Sequence, residues 1–272
     1  MTTKRPAEFF HTPSSEMFDR IYIDYKQHSK AALSLIKHDR ALSRFDAFNK
    51  RLKISCGLNI SFSDDLDIVR DDTRSCYMLM YRISDIWYAF EHLLSVADAE
   101  IPRLSKSKII IYPPDVLIVT GLTEVERIFG QLIEENVTRE ASWRRELYPM
   151  LAYFINNTNG GTRNALKECS ARVKAKERFR LQELLAISYG LRNLYVHEGV
   201  MAAMGGRDYA FKRRLYEVVL DCLTLAAFTL GNNYAERVVT KWREKAVVGG
   251  AVAAQSTVAD NGIGPGMAGS SV

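Results

Sequence analysis

Apolar residues recur at three- and four-residue intervals along most of the chain, the period of a helix that buries one face. Residues 16–37 carry Met17, Ile21, Tyr25, Ala32, Leu35 and Ile36 at roughly helical spacing. Residues 39–54 carry Leu42, Phe45, Phe48 and Leu52 on one stripe. A Gly- and Asn-containing break over 56–62 follows. Ser63-Asp64-Asp65 then reads as an N-cap cluster, with carboxylates at the positive end of a helix. That helix extends to about Ala97. Tyr77, Met80, Tyr81, Ser84, Trp87, Tyr88, Leu94 and Val96 give it a face wide enough for the centre of a bundle.

Residues 101–115 hold three prolines and the run Ile109-Ile110-Ile111-Tyr112, which has no strand partner nearby and reads as part of a long connection. Helices are expected at 123–135 and 142–156, followed by a turn through Asn156-Asn157-Thr158-Asn159-Gly160-Gly161. The spacing of Leu181, Leu184, Leu185, Ser188, Leu191 and Tyr195 predicts a helix over 176–197, stopped by Gly199 and Gly205-Gly206. The longest predicted helix spans 208–245, with Phe211, Leu215, Val218, Val219, Cys222, Leu225, Ala226, Thr229 and Leu230 on its core stripe. Beyond 247 the chain turns largely to Gly, Ala, Ser and Val, with Asp260 its one charged side chain, and a disordered tail is expected. The expected fold is all-α, an up-and-down helical bundle over 63–246 with a helical extension over 1–62 and a tail over 247–272.

Composition narrows the chemistry. With 47% hydrophobic and 25% charged residues, the 272-residue chain is of ordinary globular type. The cysteines at 56, 76, 169 and 222 form no CxxC pair, and none of the five histidines shares metal-ligand spacing with a nearby Cys or carboxylate, so neither metal nor cofactor is expected. The uncharged stretch 222–235 is shorter than the roughly 20 residues of a membrane span. The first 16 residues lack an apolar signal core, so a cytoplasmic chain with no membrane partner is expected. Trp87, Trp143 and Trp242 sit among apolar neighbours as core residues, His92 reads as a partly buried packing residue, and the cysteines read as small buried side chains.

The net charge of +5 is concentrated. Arg163, Lys167, Arg172, Lys174, Lys176, Arg178 and Arg180 face only Glu168 and Glu177 within the same segment, so this run holds the chain's whole excess. Such a run suits a polyanion, and these seven residues are candidates for RNA backbone contacts; a solvated helix face is the alternative.

The segment Gly190-Leu191-Arg192-Asn193-Leu194-Tyr195-Val196-His197-Glu198-Gly199 ends a helix just before a glycine turn. Asn193 and His197 are four apart and share a face, with Arg192 beside it. A guanidinium binds phosphate oxygens in a two-pronged way, and an imidazole moves protons near neutral pH. A helix C-cap made of two cations is the structural alternative.

Arg192-Asn193 followed by His197, on a helix near the end of an all-α domain, resembles the signature of the HEPN superfamily. The long helix after the motif and the earlier helix containing Asp85 to Leu94 suit that family's bundle, and the resemblance covers about residues 64–246. It implies a metal-independent endoribonuclease in which the ribose 2′-hydroxyl attacks the adjacent phosphorus. Arg192 would stabilise charge, His197 would act as base or acid, and Asn193 would orient the site. It also implies a homodimer that brings two motifs together, and a toxin or phage-defence role with an antitoxin or regulatory protein as partner. A non-catalytic HEPN-like module that binds nucleic acid or scaffolds another protein is the alternative. Glu91 is a candidate hydrogen-bond partner for Arg192 from the neighbouring helix. Arg163-Asn164 repeats the dipeptide without a following His and is not a second site.

Overall fold

The computed structural model describes residues 16–36, 41–58, 71–97, 121–135, 141–197 and 209–260. Among the described residues every regular element is helical: α1 (Glu16–Ser34), α2 (Ala41–Gly57), α3 (Asp71–Ala97), α4 (Leu122–Ile133), α5 (Ala141–Asn156), α6 (Gly160–Ala175), α7 (Leu181–His197) and α8 (Tyr209–Asp260). The Ser63-Asp64-Asp65 cluster and the proline-containing connection over 101–115 lie outside the described residues.

Helix α8 is the axis of the bundle. Every residue from Leu215 to Gly231 is buried, because α1, α3, α4 and α7 cover it from several sides. A helix apolar on all faces must be central or in lipid. By length and composition this one could cross a membrane, yet 89% of its apolar window is buried inside the bundle, which accounts for its hydropathy. Trp87 on α3 and all four cysteines are buried in the core, as their sequence surroundings suggest.

The first two helices share this core. Phe18, Tyr25, Ala32, Leu42, Phe45, Phe48 and Leu52 belong to the same apolar cluster as the α8 stripe, so the boundary expected at residue 62 does not divide the packing. Gly231 makes the close approach possible. A Cβ there would stand 2.9 Å from the Tyr25 ring and 3.0 Å from the Phe48 ring. Forcing one in would cost about 1–3 kcal/mol through overpacking. Arg82 of α3, almost fully buried, donates to the Ser55 and Cys56 carbonyls at 3.3 and 3.4 Å. It thereby satisfies acceptors that the end of α2 leaves open.

Three sequence expectations need correction. A helix, α6, occupies 160–175, where the sequence pattern shows only a turn and a charged run. Its buried stripe is Thr162, Ala165, Leu166, Cys169 and Val173, correctly spaced but small and partly polar. The helix ending at His197 begins at Leu181 rather than at 176, since Lys176 has φ 58° and breaks the chain there. The Glu177 N–H donates back to the Arg172 carbonyl at 2.9 Å, the six-to-one bond of a left-handed helix stop. Finally, the backbone of α8 continues helical to Asp260 through the first half of the segment expected to be disordered, while 261–272 lie outside the described residues.

Candidate functional site

Helix α7 is buried over Leu181–Ser188 and opens towards its C-terminal end, where Tyr189, Arg192 and Asn193 are half-buried. That gradient sets the motif at the rim of the bundle rather than in its core. Arg192 is held from three sides. Its Nη1 donates to the Asn193 side-chain oxygen at 2.7 Å, and its Nη2 donates to the Tyr88 hydroxyl of α3 at 2.9 Å. Its guanidinium carbon lies 4.6 Å from the centre of the Tyr88 ring and 5.7 Å from that of Tyr189, within cation–π range. His197 is the last residue of α7; its side chain lies outside the described residues.

Tyr88 also meets a second arginine. The Arg51 guanidinium of α2 stands 5.0 Å from the same ring. Arg51 is fixed in turn by Asp85, one turn before Tyr88, whose Oδ1 accepts from Arg51 Nε and Nη2 at 3.0 and 2.9 Å. The other oxygen of Asp85 accepts from the Ser55 hydroxyl. A groove of about 530 Å³ runs beside this cluster between α2 and α3, with Arg51, Tyr88, Glu91 and His92 among its lining residues. His92 is exposed there and not a packing residue, because it falls on the side of α3 opposite the buried Ile83 and Phe90. Glu91 lines the groove, and Tyr88, one turn earlier on α3, accepts from Arg192.

Sequence reasoning missed Arg51, Asp85 and the role of Tyr88. The available signal was the recurrence of polar side chains at 85, 88 and 92, the helical period of a second, non-core face of α3.

The seven basic candidates are brought together only in part. Helices α6 and α7 form an antiparallel hairpin. Leu166 lies against Gly190, where a Cβ would stand 3.7 Å away, and Arg172 pairs with Glu183. This register sets Arg163 level with Asn193, while Lys174 and Lys176 sit at the far turn. No continuous helix carries charge from Lys176 to Arg192.

The arginines of the run are engaged inside the fold. Glu183, fully buried, accepts from Arg180 at 2.5 Å and pairs with Arg172 at 3.3 Å. It also accepts from the Arg180 backbone N–H at 2.6 Å, which caps the start of α7. The side-chain bond to Glu183 is the largest influence raising the Arg180 pKa. Arg180 further pairs with Glu168 and Arg178 with Glu134, each at 2.7 Å. Glu126 of α4 accepts the Leu181 N–H at 2.8 Å, and Arg163 Nε donates to the Ile155 carbonyl at 2.8 Å. Lys167, Lys174 and Lys176 are exposed and, among the described residues, make no ion pair.

Among the described residues no group of three or more His, Cys, Asp or Glu side chains gathers at metal-binding distance. No family model, curated protein or solved structure matches the chain.

Proposed function

We propose that this chain is a metal-independent endoribonuclease of the HEPN kind, acting as a toxin or phage-defence effector. The observation that carries the reading is the posture of Arg192. Tyr88, Tyr189 and Asn193 hold its guanidinium at the open end of α7, close to a groove bearing Arg51, Glu91 and His92. A cation fixed before substrate arrives does not have to be reorganised when charge develops on phosphorus.

In the proposed reaction a base removes the ribose 2′-hydroxyl proton, and the oxygen bonds to the adjacent phosphorus. The 5′-oxygen leaves with a proton from an acid. The products are a 2′,3′-cyclic phosphate and a 5′-hydroxyl. His197 is assigned the proton transfer and Arg192 the charge on the non-bridging oxygens. One motif offers one histidine, so a homodimer supplies the second.

The test is cleavage of a single-stranded RNA in EDTA by wild type, Arg192→Ala and His197→Ala, with the product ends identified. Cleavage by wild type to cyclic phosphate ends, lost in both variants, supports the reading. Cleavage that requires magnesium or manganese, or that survives His197→Ala, overturns it. A non-catalytic module is favoured by one observation, that two donors of Arg192 are already engaged within the chain. That reading predicts RNA retention without cleavage by wild type and by His197→Ala alike.

A further inference from the structure

A second cavity, of about 400 Å³, opens between α1, α2 and α8 and shares no lining residue with the groove beside Tyr88. Its walls are apolar. The rings of Tyr22 and Tyr25 pack on Phe228 with centroids 5.2 and 5.1 Å apart, and Leu33 adds an aliphatic surface. Two hydroxyls of the buried wall are already engaged. The Tyr25 hydroxyl donates to Asn49 at 2.7 Å, and the Ser29 hydroxyl to the Lys26 carbonyl at 3.3 Å. Water inside would therefore find few partners.

The rim has the opposite character. Lys26 and Lys30 stand one turn apart on α1, Lys53 faces them from α2, and no carboxylate lines the cavity. Among the described residues none of the three pairs with an acidic side chain. Their neighbours on α2 do: Lys50 pairs with Asp46 at 2.6 Å and Arg51 with Asp85 at 2.9 Å. Two ammonium groups at i and i+4 repel one another, and a third beside them adds to the repulsion. An anion seated at the rim would relieve it.

We propose that this cavity binds a small amphiphilic anion, an aliphatic or aromatic body ending in a carboxylate. The rings and Leu33 take the body, and the three ammonium groups take the head. A volume of 400 Å³ lies within the range of small-molecule sites, about 300–1,000 Å³. Lysine, a compact point charge on a flexible stem, suits a head that settles at the mouth of the cavity.

The experiment is calorimetric titration of the full chain with decanoate, and with decanol as the uncharged control. Decanoate should bind saturably at one site per chain and at least tenfold more tightly than decanol. The exposed triple variant Lys26→Gln, Lys30→Gln, Lys53→Gln should lose at least tenfold in decanoate affinity and leave decanol unchanged. Leu33→Trp, checked for retained helical signal, should weaken both ligands by filling the cavity. Equal affinity for the two ligands, unsaturable uptake, or decanoate binding that survives the triple variant would overturn the proposal. So would co-sedimentation with anionic phospholipid vesicles in the absence of decanoate binding, which would assign the lysines to a membrane surface. None of these readouts depends on RNA cleavage.

Discussion

Tyr88 grips Arg192 in two ways at once, with its ring centre 4.6 Å from the guanidinium carbon and its hydroxyl accepting from Nη2 at 2.9 Å. The contact joins α3 to the open end of α7 across 104 residues of sequence. It fixes the guanidinium of the motif at the rim of the bundle. Tyr88→Phe removes the acceptor and keeps the ring; Tyr88→Ala removes both. A hydrogen bond to a charged group contributes about 1.5–3 kcal/mol. Tyr88→Phe should therefore lower kcat for RNA cleavage by roughly tenfold with KM little changed. Tyr88→Ala should lower it several-fold further through loss of the cation–π contact. Steady-state cleavage in EDTA reads both. Unchanged rates in the two variants would make the contact purely structural.

The buried carboxylate of Glu183 is predicted to matter for stability and not for RNA. Glu183→Ala removes the cap on the Arg180 N–H and the shared anion of Arg172 and Arg180. Loss of a cap costs about 1 kcal/mol, and loss of charge-assisted bonds about 1.5–3 more. Urea unfolding should show a loss of about 3 kcal/mol. Glu183→Gln keeps a capping oxygen and should lose roughly half as much. The salt dependence of RNA binding should stay as in wild type for both.

These two sites show what the sequence made legible and what it did not. The α3 and α8 stripes are long and strongly apolar, so their helices and their central place could be read from spacing alone. Helix α6 could not, because its buried face is Thr162, Ala165, Leu166, Cys169 and Val173, which bury little area each and are interleaved with charge. The αL residue that ends it is a lysine rather than the glycine that usually signals such a stop, so the sequence places the start of the next helix at 176 instead of Leu181. The motif Arg192-Asn193-His197 was visible as residue types at a spacing. Its partner Tyr88 was not, since a contact so distant in sequence depends on how α3 and α7 pack. The charge run was visible as well, but the sequence does not show which cations are neutralised. Glu134 and Glu183, which pair with three of its arginines, lie outside residues 163–180.

Burial of the thiols predicts a decline in stability at alkaline pH. Burial pushes the Cys56 thiol up from near 9 to about 12, against a smaller opposing pull from Arg82. It also raises Cys169 and Cys222. A thiol is neutral when protonated, so a raised folded pKa means that the folded state keeps its proton longer than the unfolded one. The contribution is whole below about pH 9 and is lost as pH climbs from there towards 12. Each such thiol adds a slope approaching 1.4 kcal/mol per pH unit. Urea unfolding at a series of pH values should show a stability plateau below pH 9 and a steepening loss above it. Ellman's reagent at pH 8 should label the native chain far more slowly than the urea-unfolded one.

The exposed lysines of the basic run are the residues predicted to sense RNA. Arg172, Arg178 and Arg180 spend their charge on Glu177, Glu134, Glu168 and Glu183, and releasing them to a phosphate would break those pairs. Lys174 and Lys176 carry no such cost. Lys176 sits at φ 58°, where glycine is at ease and a side chain is not, so Lys176→Gly removes the charge and relieves about 0.5–1 kcal/mol of backbone strain. The double variant Lys174→Ala, Lys176→Gly should therefore fold at least as stably as wild type. Each lost phosphate contact lowers the slope of log affinity against log salt by about 0.9 on a duplex and about 0.7 on a single strand. On single-stranded RNA the double variant should flatten that slope by roughly 1.4, with the rate at saturating RNA largely kept, because the two lysines lie at the far turn of the hairpin from Arg192. Affinity at several salt concentrations decides the matter. A slope unchanged in the double variant would confine the basic run to its structural role around Glu183.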